Sequence, residues 1–227
     1  MKPWCPILLA SILTCGSIMS QPLSASEPKE RTTMTTPQRP VSRIGLLDPA
    51  DMTPEQFEAY NKSPSAKPNL SRLLAQAKTL QPGMGAMIRA MMTDTTLPAL
   101  DREIVILAVL HLDRGAYEWA QHEQVADAMG IAKAKVEAIA DDRFNDPLFS
   151  DREKSLLAFT RQTVKTVRVD DFAFDAVKAF YDDRQLVELI HVIGIYMLIV
   201  RVSEVAELEI DAAHGAEVWK HAEQNKE

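Results

Sequence analysis

From about residue 50 onward apolar residues return at three- and four-residue steps, and no stretch sustains the period-two alternation of a half-buried strand. The pattern predicts helices over 54–61, 70–80, 83–92, 98–112, 116–129, 132–140, 151–168, 171–181 and 184–206. Start signals recur at the right places. Thr53-Pro54-Glu55-Gln56 combines an N-cap, a proline at the first helical position and a capping-box glutamine. Ser150 to Glu153 repeats the box, and Asp182 to Gln185 resembles it. Gly130 stands where a helix C-terminal residue stands. The run Ile104 to Leu110 is rich in β-branched residues and reads as a strand on composition alone. Periodicity decides for helix, because Leu97, Leu100, Ile104, Leu107 and His111 share one face. The second apolar run, Leu189 to Val200, is 12 residues, too short to span a bilayer. Both runs are therefore expected as central helices of an all-α bundle, a single domain over 50–227, with His191 a hydrogen-bonded core histidine.

The N-terminal quarter follows a different pattern. Lys2, the apolar stretch Ile7 to Thr14 and the small residues through Ser24-Ala25 read as an export signal over 1–25, too interrupted for an anchor helix. A lipid attached at Cys15 is the minor alternative, because Ile12-Leu13-Thr14-Cys15 loosely resembles a lipobox. Residues 26–49, with Pro28, Pro37, Pro40 and Pro49, read as a flexible arm. The expected location is periplasmic or secreted. Cleavage after Ala25 removes both cysteines, Cys5 and Cys15, and with them any thiol chemistry. With 46% hydrophobic and 25% charged residues, the chain has the balance of a globular domain and not of a disordered one. A net charge of −7 without a Lys/Arg cluster excludes nucleic acid as a sequence-independent partner.

Candidate chemistry gathers between Leu100 and Gly130. Glu118 and His122 form an i, i+4 pair, and a short turn at Asp113-Arg114-Gly115 folds their helix back on the one bearing Glu103. An imidazole beside carboxylates is acid–base hardware. Glu118 and His122 also read as a solvated helix pair. Glu103, followed by seven apolar residues, needs a partner, which His122 or Arg102 can supply. Tyr117 and Trp119 read either as packing residues or as a substrate platform. His214, Glu217 and His221 share a face of a possible C-terminal helix, but without a third good ligand and an open position no metal site is assigned.

At these residues the chain resembles the carboxymuconolactone decarboxylase family, which includes the alkylhydroperoxidase D proteins. The resemblance is carried by Leu100-Asp101-Arg102-Glu103-Ile104, by Tyr117-Glu118-Trp119-Ala120-Gln121-His122 and by Ala128-Met129-Gly130-Ile131. It extends through Met84 to Met92, Gln185 to Leu189 and Gly194 to Arg201, so it covers roughly Leu70 to Leu208. The resemblance implies an all-helical bundle assembling as a homotrimer or homohexamer. In the peroxidase branch a Cys-x-x-Cys pair precedes the histidine. Here its positions hold Gly115 and Glu118, while the Glu and His fall on Glu103 and His122. The peroxiredoxin label of the family is therefore not expected to apply in its chemical sense, since peroxide reduction needs a thiolate. Met197 and Glu204 stand where many relatives have Asn.

These expectations combine into an exported, cofactor-free enzyme. It acts on a small organic acid or lactone by decarboxylation or isomerisation, with lactone hydrolysis open to the same residues. His122 shuttles the proton, Glu103 orients it, Glu118 holds a second proton or a polar substrate group, and Arg102 or Arg114 pairs a substrate carboxylate. The alternative is a non-enzymatic periplasmic oligomer that binds a small hydrophobic ligand. A His122 saturated by two protein partners would favour that alternative.

Overall fold

The computed structural model describes residues 42–62, 69–211, 215–217 and 220. The chain divides after Gln38, and every described residue lies in the second unit, Arg39–Glu227. The signal-like segment 1–25, both cysteines, His214 and His221 fall outside the described residues.

Among the described residues the elements are helical and no strand occurs. A 3-10 turn at Pro49–Asp51 precedes α1 (Pro54–Lys62), α2 (Asn69–Leu74), α3 (Gln81–Thr93), α4 (Ala99–Asp113) and α5 (Ala116–Ala128). Then follow α6 (Lys133–Ala140), α7 (Asp151–Thr166), α8 (Asp171–Lys178) and α9 (Asp183–Val205). The expected all-α bundle is present. The start signals act as the sequence reading has them. Ser150 with Glu153, and Asp182 with Gln185, close reciprocal capping boxes on α7 and α9. Thr53 Oγ1 accepts from the Gln56 amide at 3.2 Å, and Gln56 Oε1 accepts in return from the Thr53 amide at 3.0 Å. The helix expected over 70–80 stops at Leu74 and gives way to turns. On the far side of the expected boundary at residue 50, the stretch from Ser42 is tied down: the Arg43 amide donates to Ala206 O at 2.7 Å and the Leu47 amide to Arg72 O at 3.2 Å.

The centre is α4. Every residue from Asp101 to Leu110 is buried, so the helix is enclosed and not merely amphipathic. Against one side packs α9, with Leu189, Val192, Ile193, Ile199 and Val200. Against the other pack Val136 and Ile139 of α6, Leu157 of α7 and Phe149 from the segment between them. The half-buried Trp119 of α5 touches both clusters. At 23 residues α9 is long and apolar enough to cross a bilayer by length and composition. The 12-residue run therefore understates it. Half of the helix is buried in the core, the pattern of an interior helix in a globular bundle. His191 departs from expectation: it is exposed, and its Nδ1 satisfies itself on Val187 O at 2.8 Å.

The turn between α4 and α5 is what places the site. Arg114, not Gly115, takes the left-handed conformation that ends α4, with φ 61°. Gly115 is required for a different reason: a Cβ there would lie 2.5 Å from Val200 Cγ2 on α9. Gly115→Ala is therefore expected to destabilise the fold by about 1–3 kcal/mol, the usual scale of overpacking. Adding Val200→Ala should recover part of the loss. Denaturant midpoints of the two variants, compared with wild type, check this.

Candidate functional site

Four consecutive turns of sequence chemistry converge where α4, α5 and α9 meet. Glu103 projects from the middle of α4 and is 2% exposed, so its carboxylate needs a donor. His122, two turns into α5, supplies it: Nδ1 lies 2.6 Å from Glu103 Oε1. The other ring nitrogen, Nε2, has no hydrogen-bond partner among the described residues, and the side chain is 12% exposed. The histidine is thus held by one partner with a nitrogen to spare. Tyr196 of α9 stands edge-on to the imidazole, with centroids 5.0 Å apart and planes at 82°. Burial first, then the negative charges of Glu103 and Glu118, push the Tyr196 phenol far above its ordinary range, so it stays neutral and serves as a wall.

One turn before His122, Glu118 is 3% exposed. Its Oε2 accepts from Ser203 Oγ at 3.0 Å, while Oε1 is buried without a hydrogen bond. Burial pushes this carboxyl above the usual carboxylate range. The Ser203 bond and the neighbouring His122 pull it back, and Glu204 adds to the rise. The solvated-pair reading of Glu118 and His122 does not describe this arrangement, because Glu118 is interior. Glu204 itself accepts from the Ala116 amide at 2.8 Å, so α9 caps the start of α5, whose own N-cap residue, Gly115, has no side chain to do so.

The four residues expected to face substrate separate into two groups. Arg102 is buried at 3% exposure and donates from Nη1 to Thr95 Oγ1 at 3.2 Å, so it is an interior residue. Tyr117 is likewise interior: its hydroxyl donates to Asp211 Oδ1 at 2.9 Å and accepts from the Leu70 amide at 3.4 Å. It ties α5 to α2 and to the segment after α9, and burial raises its phenol beyond any useful range. Arg114 and Trp119 do face open space. With Leu110, His111, Gly115, Ala116 and Ala140 they line a groove of about 300 Å³. Gly115 is the common wall, since a Cβ built there would be 3.2 Å from Glu118 Oε2 on the inner side. Tyr196 and Ser203 escaped the sequence reading. Their only signal was position on a face of α9, which periodicity shows to be inward without saying what it meets.

Among the described residues no group of three His, Cys, Asp or Glu is placed to hold a metal ion. The peroxidase positions carry no sulfur: at 115 the room for a thiol is taken by Val200, and at 118 stands the buried carboxyl.

Comparison with known proteins agrees with this geometry. Residues 79–162 match the carboxymuconolactone decarboxylase family. No curated protein matches the chain. Among solved structures, the alkylhydroperoxidase AhpD core of a peroxidase-related protein from Ralstonia eutropha JMP134 superposes with a TM-score of 0.67. The two are 17% identical, with 80% of this chain and 96% of that one covered. A peroxidase-related protein from Silicibacter sp. TM1040 gives a TM-score of 0.67 at 17% identity, covering 78% and 96%. The debrominase Bmp8 bound to 2,3,4-tribromopyrrole gives 0.62 at 15% identity, covering 80% and 96%. At such identities the likeness is one of fold. The chain carries the carboxymuconolactone decarboxylase family segment over residues 79–162, with Glu103, Glu118 and His122 inside it, on an all-α fold of the AhpD-like type.

Proposed function

We propose that the protein is an enzyme that moves protons on a small organic acid or lactone without a cofactor, by decarboxylation or isomerisation. The observation that carries this is the Glu103–His122 pair: a buried carboxylate fixes one imidazole nitrogen, and Nε2 has no hydrogen-bond partner among the described residues. A histidine meant only to satisfy a buried network would have both nitrogens occupied. In the proposed reaction the substrate loses carbon dioxide or a proton, and His122 Nε2 carries the proton to or from the reacting carbon. Glu103 fixes the tautomer and steadies the imidazolium. Glu118, whose carboxyl burial pushes above the usual range, donates a hydrogen bond in its protonated form to the oxygen on which charge develops. Arg114 takes the carboxylate.

The fold supports an enzymatic reading, since a debrominase on it is solved with a small ring compound bound. Thiol peroxidase chemistry is not part of the proposal, because positions 115 and 118 are glycine and glutamate. The alternative, a helical oligomer that only holds a small hydrophobic ligand, draws on the largely apolar walls of the groove. The free nitrogen of His122 weighs against it. Assembly as a homotrimer or homohexamer remains part of the proposal. It is supported by the outward stripe of α9, where Val187, Ile190, Leu198 and Val205 are 46–66% exposed. Export to the periplasm or beyond rests on the pattern of residues 1–25, and lipid attachment at Cys15 is its variant.

The test is turnover of a panel of small lactone acids in D₂O. The product should carry deuterium at the carbon that lost carbon dioxide or received the shifted proton, and His122→Asn should abolish the incorporation. Sustained multi-turnover loss of hydroperoxide with a dithiol reductant, and no exchange on any acid, would overturn the proposal.

A further inference from the structure

The groove outside Gly115 contains a polar residue to which nothing above gives a role. His111, in the last turn of α4, is 25% exposed by its side chain and lines the groove with Arg114 and Trp119. Its Nε2 is 3.1 Å from Asp142 Oδ1. Asp142 in turn receives Arg161 at both oxygens, Nη1 at 3.0 Å and Nη2 at 2.8 Å. The Arg161 guanidinium lies 4.2 Å above the Phe144 ring, whose edge meets the imidazole with centroids 6.0 Å apart. Those Arg161 hydrogen bonds hold the Asp142 carboxyl below the usual range, so it stays ionised and keeps the ring in place. With Nε2 committed, Nδ1 is the nitrogen left for another partner.

Arg114 adds a charge with the same property. It is exposed, and its guanidinium makes no hydrogen bond or ion pair with the described residues. Asp142, which holds His111, is already compensated by Arg161, while Glu204 is a second carboxylate beside this wall, bonded to the Ala116 amide at 2.8 Å. A free guanidinium and an oriented imidazole thus stand on one rim, and the rest of the wall is apolar around an indole. The volume, about 300 Å³, is at the small end of ligand pockets.

We infer that this groove is a carboxylate-binding site for a single-ring organic acid. Arg114 forms the ion pair, the His111 ring in its imidazolium form donates a second hydrogen bond from Nδ1 to the carboxylate, and Trp119 packs against the ring. The Asp142–Arg161–Phe144 group is a positioning assembly for His111. The groove's place in a reaction rests on the acid–base reading above, but the binding does not.

Benzoate and its neutral isostere benzamide test this on the full chain by calorimetric titration. Benzoate should bind at least about tenfold more tightly than benzamide, as expected for a charge-assisted contact. Arg114→Asn suits the left-handed backbone and should weaken benzoate by about tenfold while leaving benzamide unchanged. His111→Phe keeps the ring contact with Phe144, and should weaken benzoate several-fold and narrow its margin over benzamide. His122→Asn should bind benzoate like wild type. Equal affinity for the two probes, an Arg114→Asn variant that binds benzoate as wild type does, or no saturable binding at millimolar benzoate would overturn the inference. Any of these would leave the Glu103–His122 proposal standing, because that one is tested by deuterium transfer and by the turnover of His122→Asn.

Discussion

His122→Asn is expected to lower turnover about 10²–10⁴-fold, the scale of general acid–base catalysis, with a melting temperature close to wild type. The geometry explains the choice of asparagine. Nδ1 is the nitrogen bonded to Glu103, and an asparagine amide occupies the place of Nδ1. The buried carboxylate keeps a donor while the chemistry loses Nε2. His122→Gln does the opposite: its amide follows the position of Nε2 and leaves Glu103 without its donor. Breaking a buried ionic hydrogen bond in this way costs about 3–5 kcal/mol. For a domain of this size each kcal/mol is worth about 2–4 °C. The two variants should therefore be equally inactive and clearly different in thermal unfolding. A His122→Asn variant with wild-type turnover would remove the histidine from the mechanism.

Glu118→Gln is expected to be inactive and more stable than wild type. The carboxyl is raised first by burial, so its folded-state value lies above its unfolded one. Its share of stability is fully present below the ordinary glutamate range and is lost as pH rises from that range through the raised value. Wild type thus loses about 1.4 kcal/mol for each pH unit climbed within that window, and the amide loses nothing. Glutamine still accepts from Ser203 Oγ. The difference between the variant and wild type should therefore move in the variant's favour as pH rises through that window, and in acid only the packing of the amide should separate the two proteins. Melting curves at several pH values read this directly. A destabilised Glu118→Gln at neutral pH would mean that the carboxylate is ionised and paired.

How much of this was legible in the residues depends on distance along the chain. Helices with caps written locally, such as Ser150 to Glu153 or Asp182 to Gln185, stand where the pattern puts them. The Glu103–His122 pair was legible because one tight turn joins its two helices. Arg102 and Tyr117 were read as facing substrate because charge and aromaticity suggest it. Their burial is set by partners 7 and 94 residues away, Thr95 and Asp211, and no local spacing encodes the second of these. Ser203 and Tyr196 were invisible for the same reason. Gly115 looked like a turn glycine, whereas the left-handed residue is its neighbour and the glycine answers to Val200 on a helix 85 positions on.

That placement of α9 has an evolutionary consequence. The family segment ends at residue 162, yet the ring wall at Tyr196, the hydroxyl at Ser203, the methyl at Val200 and the cap at Glu204 all come from beyond it. One part of the gene therefore supplies Glu103, Glu118 and His122, and another sets how acidic, how crowded and how firmly seated they are. Substitutions along a single face of α9 can retune Glu118 and His122 without altering either residue. Two chains with the same Glu-His pair can diverge in chemistry through a helix that holds neither.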